Sequence, residues 1–330
     1  MTDQCQFAQD ASRTGGVGAD AISPDSPDAA AAIDGLTPLM VATRLCILLT
    51  CFNRVEQTLA CLQAVQASTG LEGVELNAVL LDDGSRDGTA DAVRARFPWV
   101  MVLTNGGPPL FWCRGMHRAF ATAIAQGHDH YLLLNDDTIL LPDALARLLA
   151  CAAGLRAQSP EAVPVLVVGS TQDASSGHHT YGGERMPAPQ RPTTFKLLTP
   201  SVEPQSIDTF NGNIVLLPAD VVALVGTVDP VYEHAMGDID YGLRARAAGV
   251  AQWLAPGYHG TCSNNPVDNT FSDPALAWRK RWAHILSRKG LPWRSWLHFT
   301  RRHTGWRWPL FFMWPYVRLV AQGLSQSPWR

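Results

Sequence analysis

The sequence predicts an α/β fold in which a mostly parallel sheet is flanked by helices. Short apolar runs, typical of buried strands, alternate with segments whose apolar residues recur at helical spacing. The first such unit is the run at 44–50, which is followed by Val55, Leu59, Leu62 and Val65. Alternation at this spacing predicts parallel strands joined by right-handed helical crossovers.

The same pattern predicts the later elements in order. A second strand is predicted within 76–85, a helix around 89–97, a third strand at 99–103, a loop at 104–114 and a helix near 115–127. The segment LLLNDDT predicts a strand that ends at Asn135, and Pro142 opens the next helix because proline fits the first helical turn. Residues 210–218 predict a turn, permitted by glycine, that enters a buried strand. The run from Leu243 to Ala248 predicts a helix that Gly249 ends in a left-handed cap.

Composition divides the 330 residues into three parts. Residues 1–43 are rich in Ala, Asp, Pro and Gly and have almost no apolar periodicity, so we expect a disordered leader. Residues 44–275 carry the alternating pattern of the α/β domain. Residues 276–330 hold 11 Lys and Arg residues, no Asp or Glu, and 8 of the 11 Trp residues, so we expect a basic helical extension.

The extension has more than one interpretation. Trp, Lys and Arg are residues of membrane interfaces, and polybasic segments gain roughly 1 kcal/mol per charge near anionic lipid, which favours contact with a membrane surface. Alternatively, its tryptophans pack on the α/β domain or on the second subunit of a homodimer. Nucleic acid also attracts positive charge, but no nucleic-acid fold signature accompanies the extension, so the sequence does not favour that partner.

The cysteines and the hydropathy pattern argue against several classes of protein. The seven cysteines are odd in number and include no C-x-x-C pair, so they indicate neither a zinc site nor a disulfide framework. The sequence shows no signal-peptide pattern at its start and no apolar stretch long enough to span a bilayer. We therefore expect a cytoplasmic protein, either soluble or peripheral on the inner face of the cytoplasmic membrane.

Polar side chains follow three of the predicted strands where each strand ends. They are Thr50 and Asn53 after the first strand, Asp82 and Asp83 after the second, and Asn135, Asp136 and Asp137 after the fourth. Ligands of open α/β sheets bind beyond the carboxyl ends of the strands, and adjacent carboxylates suit Mg²⁺ or Mn²⁺ bound to a phosphate. Without a ligand, Asp82 and Asp83 are explained as turn-forming residues before Gly84, and residues 135–137 as a solvated acidic turn before Pro142. The sequence has neither a P-loop motif nor a G-x-G-x-x-G motif after the first strand.

Six segments in order resemble one known family. They are LLTCFNR (48–54), LLDDGSRDGT (80–89), NGGPPLFWCRGMHRAF (105–120), LLLNDDT (132–138), FNGNIVLLP (210–218) and GDIDYGLRARAAG (237–249). This ordered set covers about residues 44–262 and resembles the family 2 glycosyltransferases of GT-A fold. It is similar in particular to rhamnosyltransferase-like members of bacterial capsule and O-antigen assembly. The resemblance implies a GT-A-type sheet and a UDP- or dTDP-linked sugar as donor.

The resemblance also implies a donor site with a metal ion. It makes nucleotide or donor contacts of Thr50, Asn53, Asp82, Asp83, Gly106, Arg114, Asn135 and Asp136. Asp137 takes the metal-binding position of the family's D-x-D motif, with Mn²⁺ or Mg²⁺ as the ion, and His259 matches a further metal ligand. The chain departs from the motif at Asn135, where an amide replaces the first carboxylate. We therefore expect the metal to bind together with the nucleotide diphosphate.

The catalytic group that the resemblance implies is Asp238. It matches the general base of an inverting single displacement, which takes the proton of the acceptor hydroxyl as that oxygen attacks the anomeric carbon. Relatives commonly have Glu just before this base, where the chain has Gly237. Supporting residues are Asp240 and Arg244, and Asn211 or Asn213 is expected near the donor sugar or the acceptor. Apart from the resemblance, Asp238 and Asp240 are explained as carboxylates favoured at a helix start.

The predicted function is transfer of a sugar from a nucleoside-diphosphate sugar to a hydroxyl of a glycan or lipid-linked acceptor in cell-surface polysaccharide assembly. Two other classes stay open. A nucleotidyltransferase also uses an α/β sheet with acidic metal ligands, but it needs a basic triphosphate loop where this chain offers only Arg54. The departures at Asn135 and Gly237 keep open a non-catalytic scaffold of an assembly complex.

Overall fold

The computed structural model describes residues 42–159, 163–264, 270–273 and 275–325. Of the predicted leader at 1–43, all but the last two residues lie outside the described residues. The strands are β1 (Thr43–Cys51), β2 (Val74–Asp82), β3 (Val100–Thr104), β4 (His130–Leu134), β5 (Ile139–Leu140), β6 (Val165–Gln172), β7 (His179–Tyr181), β8 (Gly183–Arg185), β9 (Lys196–Leu197), β10 (Gln205–Ser206), β11 (Thr209–Phe210), β12 (Ile214–Pro218) and β13 (Ala251–Thr261). The helices are α1 (Val55–Gln66), α2 (Thr89–Arg96), α3 (Phe111–Gln126), α4 (Ala144–Ala157), α5 (Ala219–Val225), α6 (Gly237–Ala247), α7 (Trp278–Ile285), α8 (Trp293–His303) and α9 (Trp308–Ser325).

The predicted α/β architecture with a mostly parallel sheet is confirmed. The central strands of the main sheet follow the order β3–β2–β1–β4–β12–β6–β13. All of these strands except β12 run in the same direction. The parallel neighbours β2, β1 and β4 therefore end at one edge of the sheet. The last residues paired between β1 and β4 are Leu48 and Leu133, so Thr50 and Asn135, each two residues further on, lie at that edge.

Helices cover both faces of the main sheet and enclose two cores. Leu45, Ile47 and Leu49 of β1 pack in the core that contains α1 and α4. Cys46 and Leu48, which point to the other face, pack in the core that contains α3 and α6. A strand buried on both faces is apolar at successive positions, which explains why the sequence shows a continuous apolar run rather than alternation.

A small antiparallel sheet, in the order β11–β8–β9, lies against α6. The hydroxyl of Thr209 on β11 donates to the carbonyl oxygen of Ile239 at 2.9 Å. A Cβ on Gly242 would lie 2.4 Å from the Thr209 hydroxyl, so only glycine permits this approach of helix and strand. The short connection from β11 to β12, residues 211–213, therefore runs beside the first turn of α6.

The basic C-terminal extension folds back on the face covered by α3 and α6. Ile285, Trp296, Phe299, Tyr316 and Leu319 are buried in that core. A short 3-10 turn, Gly305–Arg307, joins α8 to α9. Among the described residues, no helix combines the length and the hydropathy that crossing a bilayer requires.

The helix predicted near residue 115 begins earlier, at Phe111. The carboxylate of Asp83 accepts hydrogen bonds from the N–H groups of Leu110 at 2.9 Å and Phe111 at 2.8 Å. These N–H groups lie at a helix N-terminus, where they have no partner within the helix. A residue that is distant in sequence thus stabilises the start of α3, and no local pattern indicates it.

Two other helix starts differ from the prediction. Met236 adopts a left-handed φ of 73°, and the chain turns directly into α6 at Gly237 rather than at Leu243. The helix α4 begins at Ala144, two residues after Pro142, whose carbonyl oxygen accepts a hydrogen bond from the Thr69 N–H at 2.8 Å. The predicted left-handed cap at Gly249 is confirmed by its φ of 81°.

Candidate active site

A cavity of about 280 Å³ opens at the carboxyl ends of β1, β2 and β4. It is lined by Thr50, Cys51, Phe52, Arg54, Asp83, Pro109, Phe111, Trp112, Asp136, His234 and Lys289. Aromatic rings offer stacking surfaces for a base or a sugar, and the basic side chains offer charge for phosphate. The sheet edge therefore has the chemistry of a nucleotide site.

Asn53 and Asp82 hold together the loops that follow β1 and β2. The Asn53 N–H donates to the Ser85 hydroxyl at 2.9 Å, and its side-chain oxygen accepts from the Arg86 N–H at 2.8 Å. The buried carboxylate of Asp82 accepts from the Ser85 N–H at 2.8 Å. Of the predicted contacts on these strands, Thr50 and Asp83 line the cavity, whereas Asn53 and Asp82 do not.

Asp83 organises the loop that carries the predicted donor contacts Gly106 and Arg114. Besides the start of α3, its carboxylate accepts from the Asn105 side-chain amide at 2.7 Å. Gly106 is exposed on this loop, and outside the adjacent residues no atom lies within 4 Å of the position that a Cβ would take. Arg114 donates to the carbonyl oxygen of Pro230 at 3.0 Å and lies 3.5 Å from Glu233. It lines a separate surface depression rather than the cavity.

A single guanidinium group pairs with both carboxylates that follow β4. Arg54 Nη1 lies 2.7 Å from Asp137 Oδ2 and 3.2 Å from Asp136 Oδ1. Asp136 is buried, and burial raises its pKa to about 6 against the opposing effect of Arg54. The side chain of Asp137 is 36% exposed, and the Cys262 thiol donates to its other oxygen at 3.6 Å.

The residues present fit a Mg²⁺ or Mn²⁺ ion only in part. These ions usually keep one or two protein carboxylates and take their other ligands from phosphate and water, a role that the exposed Asp137 can fill. His259 is fully buried, and neither ring nitrogen has a hydrogen-bond partner among the described residues. Burial, with Arg147 nearby, lowers its pKa to about 3. No three His, Cys, Asp or Glu side chains in the described part of the chain are grouped to hold a metal, so His259 does not complete such a set with Asp136 and Asp137.

Asp238 lies in the first turn of α6, beside the connection from β11 to β12. Its Oδ2 accepts from the Gly212 N–H at 3.0 Å, and its Oδ1 accepts from the Ile239 N–H at 2.9 Å. Burial raises the pKa of this carboxyl, and the backbone N–H groups oppose the shift. The carboxylate is therefore fixed in orientation and is a stronger base than an exposed aspartate.

Trp112 connects this carboxylate with the end of β4. Its indole Nε1 donates to Asn135 Oδ1 at 2.8 Å. A Cβ on Gly212 would lie 2.8 Å from the Trp112 ring and 3.3 Å from Asp238 Cβ. The role of Gly212 is thus to permit this close approach, and its φ is not left-handed. Trp112 lines the cavity, so Gly212 connects Asp238 to a residue of the cavity lining.

The supporting residues Asp240 and Arg244 form a buried charge cluster. Asp240 accepts hydrogen bonds from Arg244 at 2.8 Å, Tyr232 at 3.0 Å, Arg302 at 3.0 Å and His303 at 2.8 Å. Burial opposes ionisation, but the bonds from His303 and Arg244 hold the Asp240 pKa well below its usual range. Arg244 also donates to the carbonyl oxygens of Val225 and Thr227. The cluster therefore fastens α8 to α6 and does not face the cavity.

Asn211 and Asn213 lie on opposite sides of Gly212. The Asn211 side-chain amide donates to Glu184 Oε1 at 3.0 Å. Asn213 is buried, and its amide lies 3.4 Å from the Thr138 hydroxyl and 3.4 Å from the Cys262 sulfur. Asn211 thus faces the side of Asp238, whereas Asn213 supports the segment that follows β4.

Four residues near the site carry chemistry that the sequence did not assign. Arg54, His234 and Lys289 line the cavity, and Glu184 lies near Asp238. Arg54 directly follows Asn53 in LLTCFNR, and this position is the signal that could have pointed to it. Lys289 belongs to the basic extension, but the folding back of that segment over the cavity is not visible in a linear pattern. Glu184 and His234 stand in no periodic or motif context.

The sequence matches one known protein family over most of its length. Residues 43–272 match the family described as glycosyltransferase like family 2. No curated protein matches at a significant level. Among solved structures, the chain is similar to the mannosyltransferase PcManGT from Pyrobaculum calidifontis in complex with GDP-Man and Mn²⁺, at 15% identity and a TM-score of 0.49, over 86% of this chain and 76% of that one. Because the family match spans more than half of the sequence, the chain belongs to the glycosyltransferase-like family 2 and has the GT-A-type architecture.

Proposed function

We propose that the chain is an inverting glycosyltransferase of cell-surface polysaccharide assembly. It transfers a sugar from a UDP- or dTDP-linked donor to a hydroxyl of a glycan or lipid-linked acceptor. The observation that carries this proposal is the position of Asp238. Its carboxylate accepts a hydrogen bond from Gly212, and Gly212 packs closely against the ring of Trp112, which lines the cavity. The resemblance to rhamnosyltransferase-like members of capsule and O-antigen assembly supports the pathway and leaves the donor sugar to experiment.

Asp238 is the general base of this proposal. Each carboxylate oxygen accepts one backbone N–H, at 2.9 and 3.0 Å, and keeps a second lone pair for the proton of the acceptor hydroxyl. Burial raises the pKa of the group, which strengthens it as a base. General base assistance typically supplies ~10²–10⁴-fold in rate.

Basic residues of the cavity receive the nucleoside diphosphate. Lys289 and Arg54 line the same cavity as Thr50 and Phe52. Positive groups that face a leaving diphosphate stabilise the charge that develops as the glycosidic bond breaks. We place the diphosphate against these two side chains. The loops that Asn53, Asp82 and Asp83 stabilise would then surround the nucleoside.

Asp137 is the protein ligand that we assign to Mn²⁺ or Mg²⁺. When bound, such an ion would neutralise charge on the departing diphosphate. Arg54 pairs with Asp137 at 2.7 Å, so this pair must open before Asp137 is free to coordinate an ion. A donor diphosphate gives the guanidinium a new partner, which favours joint binding of donor and metal. His259, which is buried with neither ring nitrogen hydrogen-bonded among the described residues, stays a prediction as a second protein ligand of the ion.

The first test is calorimetry with a panel of nucleoside diphosphates and nucleotide sugars, with and without Mn²⁺. We expect one nucleotide to bind in a Mn²⁺-dependent manner, and Asp137→Ala to weaken this binding at least about tenfold, which is 1.4 kcal/mol. Asp143→Ala is the matched control, because Asp143 is an exposed aspartate nearby that pairs with Arg147. Binding of no nucleotide would favour a scaffold, and preference for a nucleoside triphosphate would favour a nucleotidyltransferase.

The partner that we assign to the extension is the anionic inner face of the cytoplasmic membrane. Leu310, Met313, Trp314, Val317 and Val320 form an exposed apolar stripe on α9, opposite the buried Tyr316 and Leu319. Arg301 and Arg307 stack on Trp308 and Phe311 of the same helix. A homodimer through this stripe would bring together two copies of a segment without acidic residues, so charge favours lipid over a second subunit.

Vesicle sedimentation tests the membrane assignment. The protein should sediment with vesicles of phosphatidylcholine and phosphatidylglycerol and remain in solution with phosphatidylcholine alone. Leu310→Glu should abolish this binding, whereas Leu224→Glu, a matched change of an exposed leucine on α5, should preserve it. Equal sedimentation of the two variants would contradict the assignment, and a dimer that Leu310→Glu dissociates would replace it with self-association.

A further inference from the structure

Glu184 lies beside the proposed base but belongs to another part of the fold. It is the middle residue of β8, opposite Thr209 of β11 and Leu197 of β9. The Asn211 side chain donates to Glu184 Oε1 at 3.0 Å, and the N–H of the next residue, Gly212, donates to Asp238 Oδ2 at 3.0 Å. The adjacent residues Asn211 and Gly212 therefore each donate a hydrogen bond to one of the two carboxyl groups, Glu184 and Asp238.

The surroundings of Glu184 disfavour its ionised form. The side chain is partly buried, and among the described residues it forms no ion pair and receives a side-chain hydrogen bond only from Asn211. The adjacent Arg185 points to the opposite face of the strand and donates a hydrogen bond to Ser206. Arg185 and Lys196, which lies opposite it on β9, are both exposed. The carboxylate of Asp208 pairs with Arg246 and the Met186 N–H. Burial, and then the charge of Asp238, raises the pKa of Glu184 to about 7.

We propose that Glu184 is a neutral carboxyl group that donates a hydrogen bond to a hydroxyl of the sugar acceptor, next to the hydroxyl that Asp238 deprotonates. This inference rests on the proposed function. A protonated carboxyl both donates and accepts, as a sugar hydroxyl does, and its neutrality leaves Asp238 as the single negative charge at this point.

The assignment to the acceptor follows from the position of Glu184. The donor cavity is lined by Trp112, and Glu184 is absent from its lining. Asn211 connects Glu184 to Gly212, the residue at which Trp112 and Asp238 meet. A hydroxyl that reaches Asp238 from the side of β8 therefore meets Glu184 before it meets the donor.

The test compares acceptor kinetics of the full-length protein and its variants from pH 6 to pH 9. The probes are the nucleotide sugar selected by calorimetry and a panel of p-nitrophenyl glycosides as acceptors. In the native protein, kcat/KM for the acceptor should fall as the pH rises above about 7, because Glu184 loses its proton. Glu184→Gln keeps a neutral donor of the same shape and should show no fall in this range. Glu184→Ala should raise the acceptor KM at least about tenfold at pH 6, where native Glu184 keeps its proton, and the difference from the native protein should shrink above pH 7.

Controls keep the outcomes separate. Glu203→Gln makes the same chemical change at an exposed site and should retain the native pH profile. Nucleotide binding by each variant, measured by calorimetry, shows that it is folded. A native-like fall in Glu184→Gln, or a native acceptor KM in Glu184→Ala, overturns the role of Glu184 alone. Absence of turnover by the native protein with every donor overturns the proposed function and this inference with it.

Discussion

The guanidinium of Arg54 lies 2.7 Å from the carboxylate of Asp137, at the end of β4. A second contact of the same nitrogen, at 3.2 Å, joins it to the buried Asp136. Arg54 therefore provides the positive charge that this acidic segment needs in the ligand-free protein. A metal ion that binds Asp137 must therefore compete with the side chain of Arg54.

Replacing Arg54 should change how the metal binds. Without the guanidinium, Asp137 is free, and we expect Arg54→Gln to bind Mn²⁺ in the absence of nucleotide about tenfold more tightly than the native protein. An opposite charge at this distance is worth about 1–4 kcal/mol, depending on exposure. Electron paramagnetic resonance of free Mn²⁺ measures the affinity. Arg44→Gln, which removes an exposed arginine that pairs with Glu75, is the control, and equal affinities in all three proteins would contradict the competition.

Gly237 should be intolerant of a side chain. A Cβ at this position would lie 2.5 Å from the Cys113 sulfur, so Gly237→Ala should lower the free energy of unfolding by about 1–3 kcal/mol through overpacking. Gly154→Ala is the matched control, since this exposed glycine within α4 has open space at its Cβ position and should gain about 0.5–1 kcal/mol. Urea unfolding measures both. Equal effects would mean that Gly237 is not constrained by Cys113.

The Asp240 cluster should control the docking of the C-terminal extension. Asp240→Asn removes the charge that faces Arg244, Arg302 and His303, and breaking such a buried ion pair costs about 3–5 kcal/mol. Because the folded-state pKa is lower than its ordinary value of 3.8, the stabilisation is present above that pH and is lost as the pH falls through the folded-state pKa. Hydrogen exchange should show faster exchange in α8.

Asp91→Asn provides the control for this change. Asp91 pairs with Arg94 on the surface, and its side chain is 92% exposed, so the substitution should leave the exchange of α8 unaltered. Native protection of α8 in Asp240→Asn would show that apolar packing alone holds the extension.

Glu184 should give the stability of the protein a distinct pH dependence. Its pKa in the folded state, about 7, lies above the ordinary value of 4.5, so the folded protein binds the proton more tightly than the unfolded chain does. The resulting stabilisation is complete below pH 4.5 and is lost as the pH rises to about 7. The loss amounts to about 3 kcal/mol at 1.36 kcal/mol per pKa unit. Urea unfolding at several pH values should show this decrease in the native protein and a smaller one in Glu184→Gln.

Much of the nucleotide-binding half of the fold could be predicted from the sequence. Strands β1, β2 and β4 are continuous apolar runs because both faces are buried, and each ends in the polar residues that mark the edge of the sheet. The helix end at Gly249 could be predicted because few residues other than glycine adopt a left-handed φ without strain.

The rest depends on contacts between distant parts of the chain. The start of α3 is set by Asp83, which is 27 residues from Leu110, and neither segment indicates the other. The pairing of Arg54 with Asp137 spans 83 residues. Local periodicity describes which residues are buried, but it does not specify which buried groups meet, so Glu184 and the enclosed position of His259 were not visible in the pattern.

Turnover by Asp238→Asn tests the central claim most directly. Asparagine keeps the size of the side chain and an oxygen for the Gly212 N–H, but it is not a base. We predict that the variant binds the nucleotide with native affinity while its kcat falls by about 10²–10⁴-fold. Full activity in Asp238→Asn, measured as release of nucleoside diphosphate from the donor, would contradict the assignment of Asp238 as the general base.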